Sequence, residues 1–172
     1  ATGCKGPNAQ TSSEETVYQE DMPANQLEKW AAIQAERMKA MVPRLFHTEL
    51  EAVYEEKNRG LDSDFNKEFE ALNAALYPTH PYGTQTTIGT IEHLQNPSIT
   101  AIKKYFGEYY VPNNVALGVS GDLSVDSTSL LIAKYFGART SQRVPEVSET
   151  QEHPITAHIA REPLGARAGN ET

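Results

Sequence analysis

Leu27, Trp30, Ala31, Met38 and Met41 recur at helical spacing, and Pro43 ends the run. The pattern predicts a helix introduced by Pro23-Ala24-Asn25, with Asn25 as its cap and Glu28 three residues on completing a capping-box arrangement. A second helix follows from Arg44 and weakens at Gly60-Leu61-Asp62. Asp62 or Ser63 can then cap a continuation in which Phe65, Phe69, Leu72 and Leu76 share one strongly buried face. Tyr77-Pro78-Thr79-His80-Pro81-Tyr82-Gly83 stops that helix, and the chain as far as Pro97 reads as loop. Asn96 as cap and Pro97 at the first helical position begin another helix, with Ile99, Ile102, Phe106 and Tyr109 or Tyr110 on one side. Val111-Pro112-Asn113-Asn114 breaks it. Val115 to Gly121 then reads as a central strand, and Asp122-Leu123-Ser124 leads into a helix ending near Phe136-Gly137. At the front of the chain, Gly6 to Ser13 is turn-like material ahead of the β-favouring Thr16-Val17-Tyr18. Beyond Gly137 the periodicity fades, with a strand expected near Ile155 to Ile159. Together these elements predict an α+β domain with an antiparallel or mixed sheet covered on one face by helices.

Charge and composition narrow the function. The chain has 172 residues, with 15 basic against 23 acidic side chains and a net charge of −8. No basic cluster is present to track phosphates, which argues against a nucleic-acid partner. No apolar run approaches bilayer-spanning length, and no charged, apolar leader opens the sequence, although a leader removed by processing leaves the same text. Cys4 is the only cysteine, which excludes an internal disulfide framework and a cysteine-built zinc site. His47 and His93 form no His-x-x-x-His or His-x-His pair. His80, set between prolines, suits a turn-fixing hydrogen bond better than a metal.

The stretch with most chemical content is Glu49-Leu50-Glu51-Ala52-Val53-Tyr54-Glu55-Glu56-Lys57-Asn58. On a helix, Glu49 and Glu56 project within roughly 20° of each other, with Val53 between them on the same side. Carboxylates beside a buried-type residue carry a desolvation cost that a cation or donor must offset. The plainer reading is a solvated helix with i,i+4 ion pairs such as Glu55 to Arg59.

The spacing Glu, six residues, Glu, with Val-x-Glu before the second, resembles the helix that supplies the carboxylate zinc ligand in the pitrilysin and insulysin family of inverted zinc metallopeptidases, to which the mitochondrial processing peptidase belongs. Asn8-Ala9-x-Thr11 with Thr16-x-Tyr18 is similar to the family's substrate-strand signature. His80-Pro81-Tyr82-Gly83 with Ile88-Gly89 resembles the segment after the ligand helix. Tyr105-Phe106 through Tyr110-Val111-Pro112-Asn113-Asn114, the apolar run, Gly121-Asp122 and Tyr135-Phe136-Gly137 extend the resemblance over residues 6 to 137. The resemblance implies that Glu56 is a zinc ligand, that Glu49 supports the site from behind, and that Asn8 and Ala9 contact an extended peptide substrate. A plain hairpin with Asn8 in a turn is the alternative for that segment.

No His-x-x-Glu-His string occurs anywhere in the chain, so the two histidine ligands and the general-base Glu of such peptidases are absent. Residues 1–137 are accordingly expected to form a partial pitrilysin-type domain, truncated at its N-terminus, and 138–172 a connector toward a second, absent half. The parent is expected to hydrolyse peptides with zinc in a chamber formed by two halves, while this chain by itself neither binds zinc tightly nor catalyses. A non-catalytic structural subunit and a peptide-binding module of the same fold are the rival readings. A periplasmic or secreted location and self-association through uncovered surface complete the expectations.

Overall fold

In a computed structural model that describes residues 3–146, 150–152 and 154, the N-terminal segment is a two-stranded antiparallel hairpin, β1 (Lys5–Thr11) and β2 (Thr16–Asp21). What reads as turn material in the sequence is therefore strand, and Asn8 is not in a turn. Asn8 pairs with Gln19, Ala9 with Tyr18, Gln10 with Val17 and Thr11 with Thr16, and the register shifts between Lys5 and Asn8. Gly6-Pro7 accounts for that shift, because Gly6 has φ +55° and Pro7 has no amide to give the ladder. Ser12 closes the turn, its hydroxyl accepting from the Glu14 and Glu15 amides at 3.3 and 3.2 Å.

The chain divides into two compact units, Ala1–Pro43 with Ser98–Glu146, and Arg44–Pro97 with Val147–Thr172. In the first, the hairpin is joined by α1 (Leu27–Lys39), α6 (Ile99–Tyr109) and α7 (Val125–Phe136). Tyr18 and Glu20 are two residues apart on β2 and so share a face, and both meet helical residues. The Tyr18 and Tyr110 hydroxyls are 2.7 Å apart, and the Arg37 guanidinium lies 5.5 Å from the Tyr18 ring centroid. Burial, then the bond to Tyr18, pushes the Tyr110 hydroxyl above its ordinary pKa. Trp30 Nε1 donates to Glu20 at 2.7 Å, and Gln34 Nε2 donates to the same oxygen. Trp30, Ala31, Ala35 and Val111 form the buried apolar centre.

Asn25 does not cap α1. It lies in a 3-10 turn, Ala24–Gln26, and α1 begins without a side-chain cap. Glu28 is taken up instead by α7, accepting from Lys134 Nζ at 2.7 Å and from the Tyr135 hydroxyl at 3.0 Å. Those donors, with the Lys134 charge, hold the Glu28 carboxyl below its ordinary range. Ser98 rather than Asn96 caps α6, its hydroxyl 3.1 Å from the Ala101 amide, and Ser124 caps α7. The predicted central strand at Val115 to Gly121 is not a strand. The stretch is without a ladder partner among the described residues, and Val115 and Leu117 are 40% and 43% exposed. A β-type sequence becomes a strand only beside another.

In the second unit, α2 (Phe46–Leu61) and α3 (Asp64–Leu76) are separated at Asp62-Ser63, where the Ser63 hydroxyl accepts from the Asn66 amide at 3.4 Å. Two short helices that the sequence reading placed in loop follow, α4 (Pro81–Thr84) and α5 (Ile91–Gln95). His80 caps α4 by accepting the Tyr82 amide on Nδ1 at 3.1 Å, as its place between prolines suggests. A Cβ at Gly83 would collide with the carbonyl oxygens of Tyr77 and Asn73, so the glycine of His80-Pro81-Tyr82-Gly83 serves the backbone. The α3 face predicted to be buried is open: Phe65 is 72% exposed, Phe69 56% and Leu72 53%. Periodicity identifies the face that favours burial, not the element that covers it. The strand expected near Ile155 lies outside the described residues.

Candidate functional site

Helix α2 carries Glu49, Val53 and Glu56 along one face, as the sevenfold spacing requires. Leu45, in the left-handed region at φ 54°, precedes the helix, and its carbonyl accepts the Glu49 amide at 3.0 Å. Both carboxylates are exposed, and Val53 is half-buried. The i,i+4 pairing of Glu55 with Arg59 takes a different form, because Arg59 Nε donates to the Glu55 backbone carbonyl at 3.4 Å.

Sequence reasoning overlooked Lys57, the buried charge of α2, whose Nζ lies 3.5 Å from Glu70 on α3. Its signal was available, since Lys57 falls four residues after Val53 on the same side of the helix. The paired, partly exposed Glu70 satisfies an ammonium that burial would otherwise penalise.

Zinc sites draw on three or four protein ligands. Among the described residues no three His, Cys, Asp or Glu side chains gather into such a set. Glu56 can supply one oxygen, and His80 and His93 are engaged as helix caps, His93 within a capping box with Thr90. These residues do not by themselves fit a zinc ion, and no chemical step is derived through one.

Asn8 and Ala9 lie side by side on β1, which is exposed along its whole length. Each hairpin strand has one edge without a ladder partner among the described residues. Such an edge offers backbone N–H and C=O groups to an extended segment. Asn8 and Ala9 belong to the first unit, Glu49 and Glu56 to the second.

Residues 98–167 match the family model described as the Peptidase M16 inactive domain. A protease from Helicobacter pylori superposes with a TM-score of 0.74 at 27% identity, over 86% of this chain and 36% of that one. In residues 98–167 and in its fold the chain is similar to the pitrilysin-type (M16) peptidases. The first half of the periplasmic protease PqqL from Escherichia coli shares the fold, with a TM-score of 0.73 at 21% identity over 84% of this chain and 32% of that one. No curated protein matches the sequence. The chain spans about a third of the length of these solved proteases. The fold is α+β, rich in helix with a small antiparallel sheet. No described helix is long and apolar enough to cross a membrane.

Proposed function

We propose that this chain is part of a zinc metalloendopeptidase, in which Glu56 gives one metal ligand, Glu49 supports it, and β1 at Asn8 and Ala9 receives the peptide substrate. The observation that carries the reading is the likeness to a protease over 86% of the chain at 27% identity, and the exposure of strand β1 supports it. The histidine ligands and the general base would come from residues outside these 172, and a second peptidase half would complete the chamber. By itself the chain is inactive, because one carboxylate neither holds zinc nor activates water. Residues 1–137 act as the partial peptidase domain and 138–172 as the connector. A periplasmic or secreted location accords with the periplasmic PqqL.

Strand addition makes a direct prediction. An unstructured, fluorescently labelled peptide should bind the chain by anisotropy in the presence of a chelator, and proline placed along the peptide opposite residues 6 to 11 should abolish binding. Peptides with and without proline binding equally well would remove β1 as the docking strand. One observation favours a non-catalytic subunit or peptide-binding module: the model matched by residues 98–167 is described as an inactive domain. Metal-independent binding without turnover, even in the complete protein, would select that reading.

The open α3 face gives a further expectation. Phe65 and Phe69 stack with ring centroids 6.2 Å apart, and Leu72 and Leu76 continue the stripe. The chain should self-associate through this apolar surface, so its mass by light scattering rises with concentration and Phe65→Ser with Phe69→Ser lowers it. A strict monomer at high concentration would refute the proposal.

A further inference from the structure

The turn between α3 and α4 is stiff. Tyr77 N–H donates to Asn73 O at 2.8 Å, Gly83 N–H to His80 O at 3.0 Å, and the rings of Tyr77, His80 and Tyr82 pack with centroids 4.3 to 6.0 Å apart. Pro78 and Pro81 bracket Thr79-His80. A residue before proline is held extended, and His80 is, at φ −77° and ψ 148°. The Thr79 and His80 amides are thus consecutive donors on a pre-shaped backbone.

Both donate to one atom. Glu152 Oε1 accepts from Thr79 N at 2.7 Å and from His80 N, across 73 and 72 residues of sequence. The other oxygen, Oε2, is shielded from solvent. Desolvation works against charge on Glu152, yet the two amides, the Thr79 side chain and the His80 ring outweigh it and hold the carboxyl below its ordinary range. Glu152 lies in a stretch without regular secondary structure at the described positions 150–152, so nothing in its local sequence requires this contact. An amide bond to a charged acceptor is about twice as strong as one to a neutral acceptor.

We propose that the turn from Tyr77 to Tyr82 is a clasp for the chain's own later segment, closed by the Glu152 carboxylate. The clasp fixes where Glu152 lies against the turn that follows α3. It also fills the paired Thr79 and His80 amides from within, leaving them closed to any other carboxylate.

The test is NMR on the 15N-labelled full chain and its Glu152→Gln variant. In the wild-type protein, the Thr79 and His80 amide protons lie downfield, exchange slowly, and show cross-relaxation to the Glu152 γ-methylene. Glu152→Gln keeps the shape and removes the charge. It should move both signals upfield and speed their exchange about fivefold. The amides of Asn66, Ala101 and Ser127, each capped by its own serine, should stay in place. Unmoved Thr79 and His80 signals in Glu152→Gln overturn the clasp. The lack of cross-relaxation to Glu152 in the wild-type chain overturns it too, with no need for a variant.

Discussion

Glu56→Gln should reduce zinc affinity by ~100-fold or more in a chain extended upstream to carry a His-x-x-Glu-His segment, measured by calorimetry. The amide keeps the shape of the carboxylate and loses its charge. Metal sites respond strongly to such a change, since even the partners behind a ligand are worth about 10- to 100-fold in affinity. Glu49→Gln should fall within that smaller range. In the proposed site Glu49, seven residues before Glu56 on α2, would orient the ligand and not replace it. The 172-residue chain should bind zinc weakly, and Glu56→Gln should change that little, because no three ligating side chains gather among its described residues. Zinc binding by the extended chain that is indifferent to Glu56 would remove the ligand assignment and leave a likeness of fold alone.

Trp30→Ala should cost the first unit about 3 to 5 kcal/mol, the usual loss for removing a buried Trp ring, and lower the melting temperature by roughly 10 °C. The size follows from how little else is buried there: Trp30 stands with Ala31, Ala35 and Val111, all smaller. The indole also holds β2 to α1 through Glu20, which would be left to Gln34. Circular dichroism is the proper monitor, since Trp30 is the chain's only tryptophan and its fluorescence leaves with it. Trp30→Phe retains most of the apolar ring and should recover at least half of the loss. A cost below about 1 kcal/mol for Trp30→Ala would mean that the packing around Trp30 does not hold the unit together.

Legibility in the sequence followed the range of each interaction. α1, α2, α3, α6 and α7 were all readable because helix periodicity and the stop signals at Pro43, Pro78 and Gly137 act within a few residues. The cap at Ser63 and the turn role of His80 are likewise local. Asn25 was misplaced as a cap because Glu28 has a stronger claim on it from Lys134, 106 residues away, which no window around Glu28 reveals. Residue preferences at Gly6 and Pro7 read as turn and hid the strand Lys5–Thr11, which the resemblance at Asn8-Ala9-x-Thr11 did imply; the two residues are absorbed in a register shift. Val115 to Gly121 differs in the opposite sense, since β propensity is present and no partner strand lies beside it among the described residues. For the candidate site, residue types and helical face were readable. The burial of Lys57 beside them depends on Glu70 of the next helix, and the seat of Glu152 on a turn 72 residues earlier.

The register shift at Gly6-Pro7 bears on how a docked peptide would be measured out. Pro7 has no N–H, and the regular ladder with β2 resumes only at Asn8 and runs to Thr11. At about 3.3 Å per residue that is a platform of roughly 13 Å. Its upstream limit is set by backbone chemistry and is the same for every peptide, whatever the side chains. A segment docked along β1 would therefore meet at Gly6-Pro7 a boundary set by the backbone and blind to its own side chains.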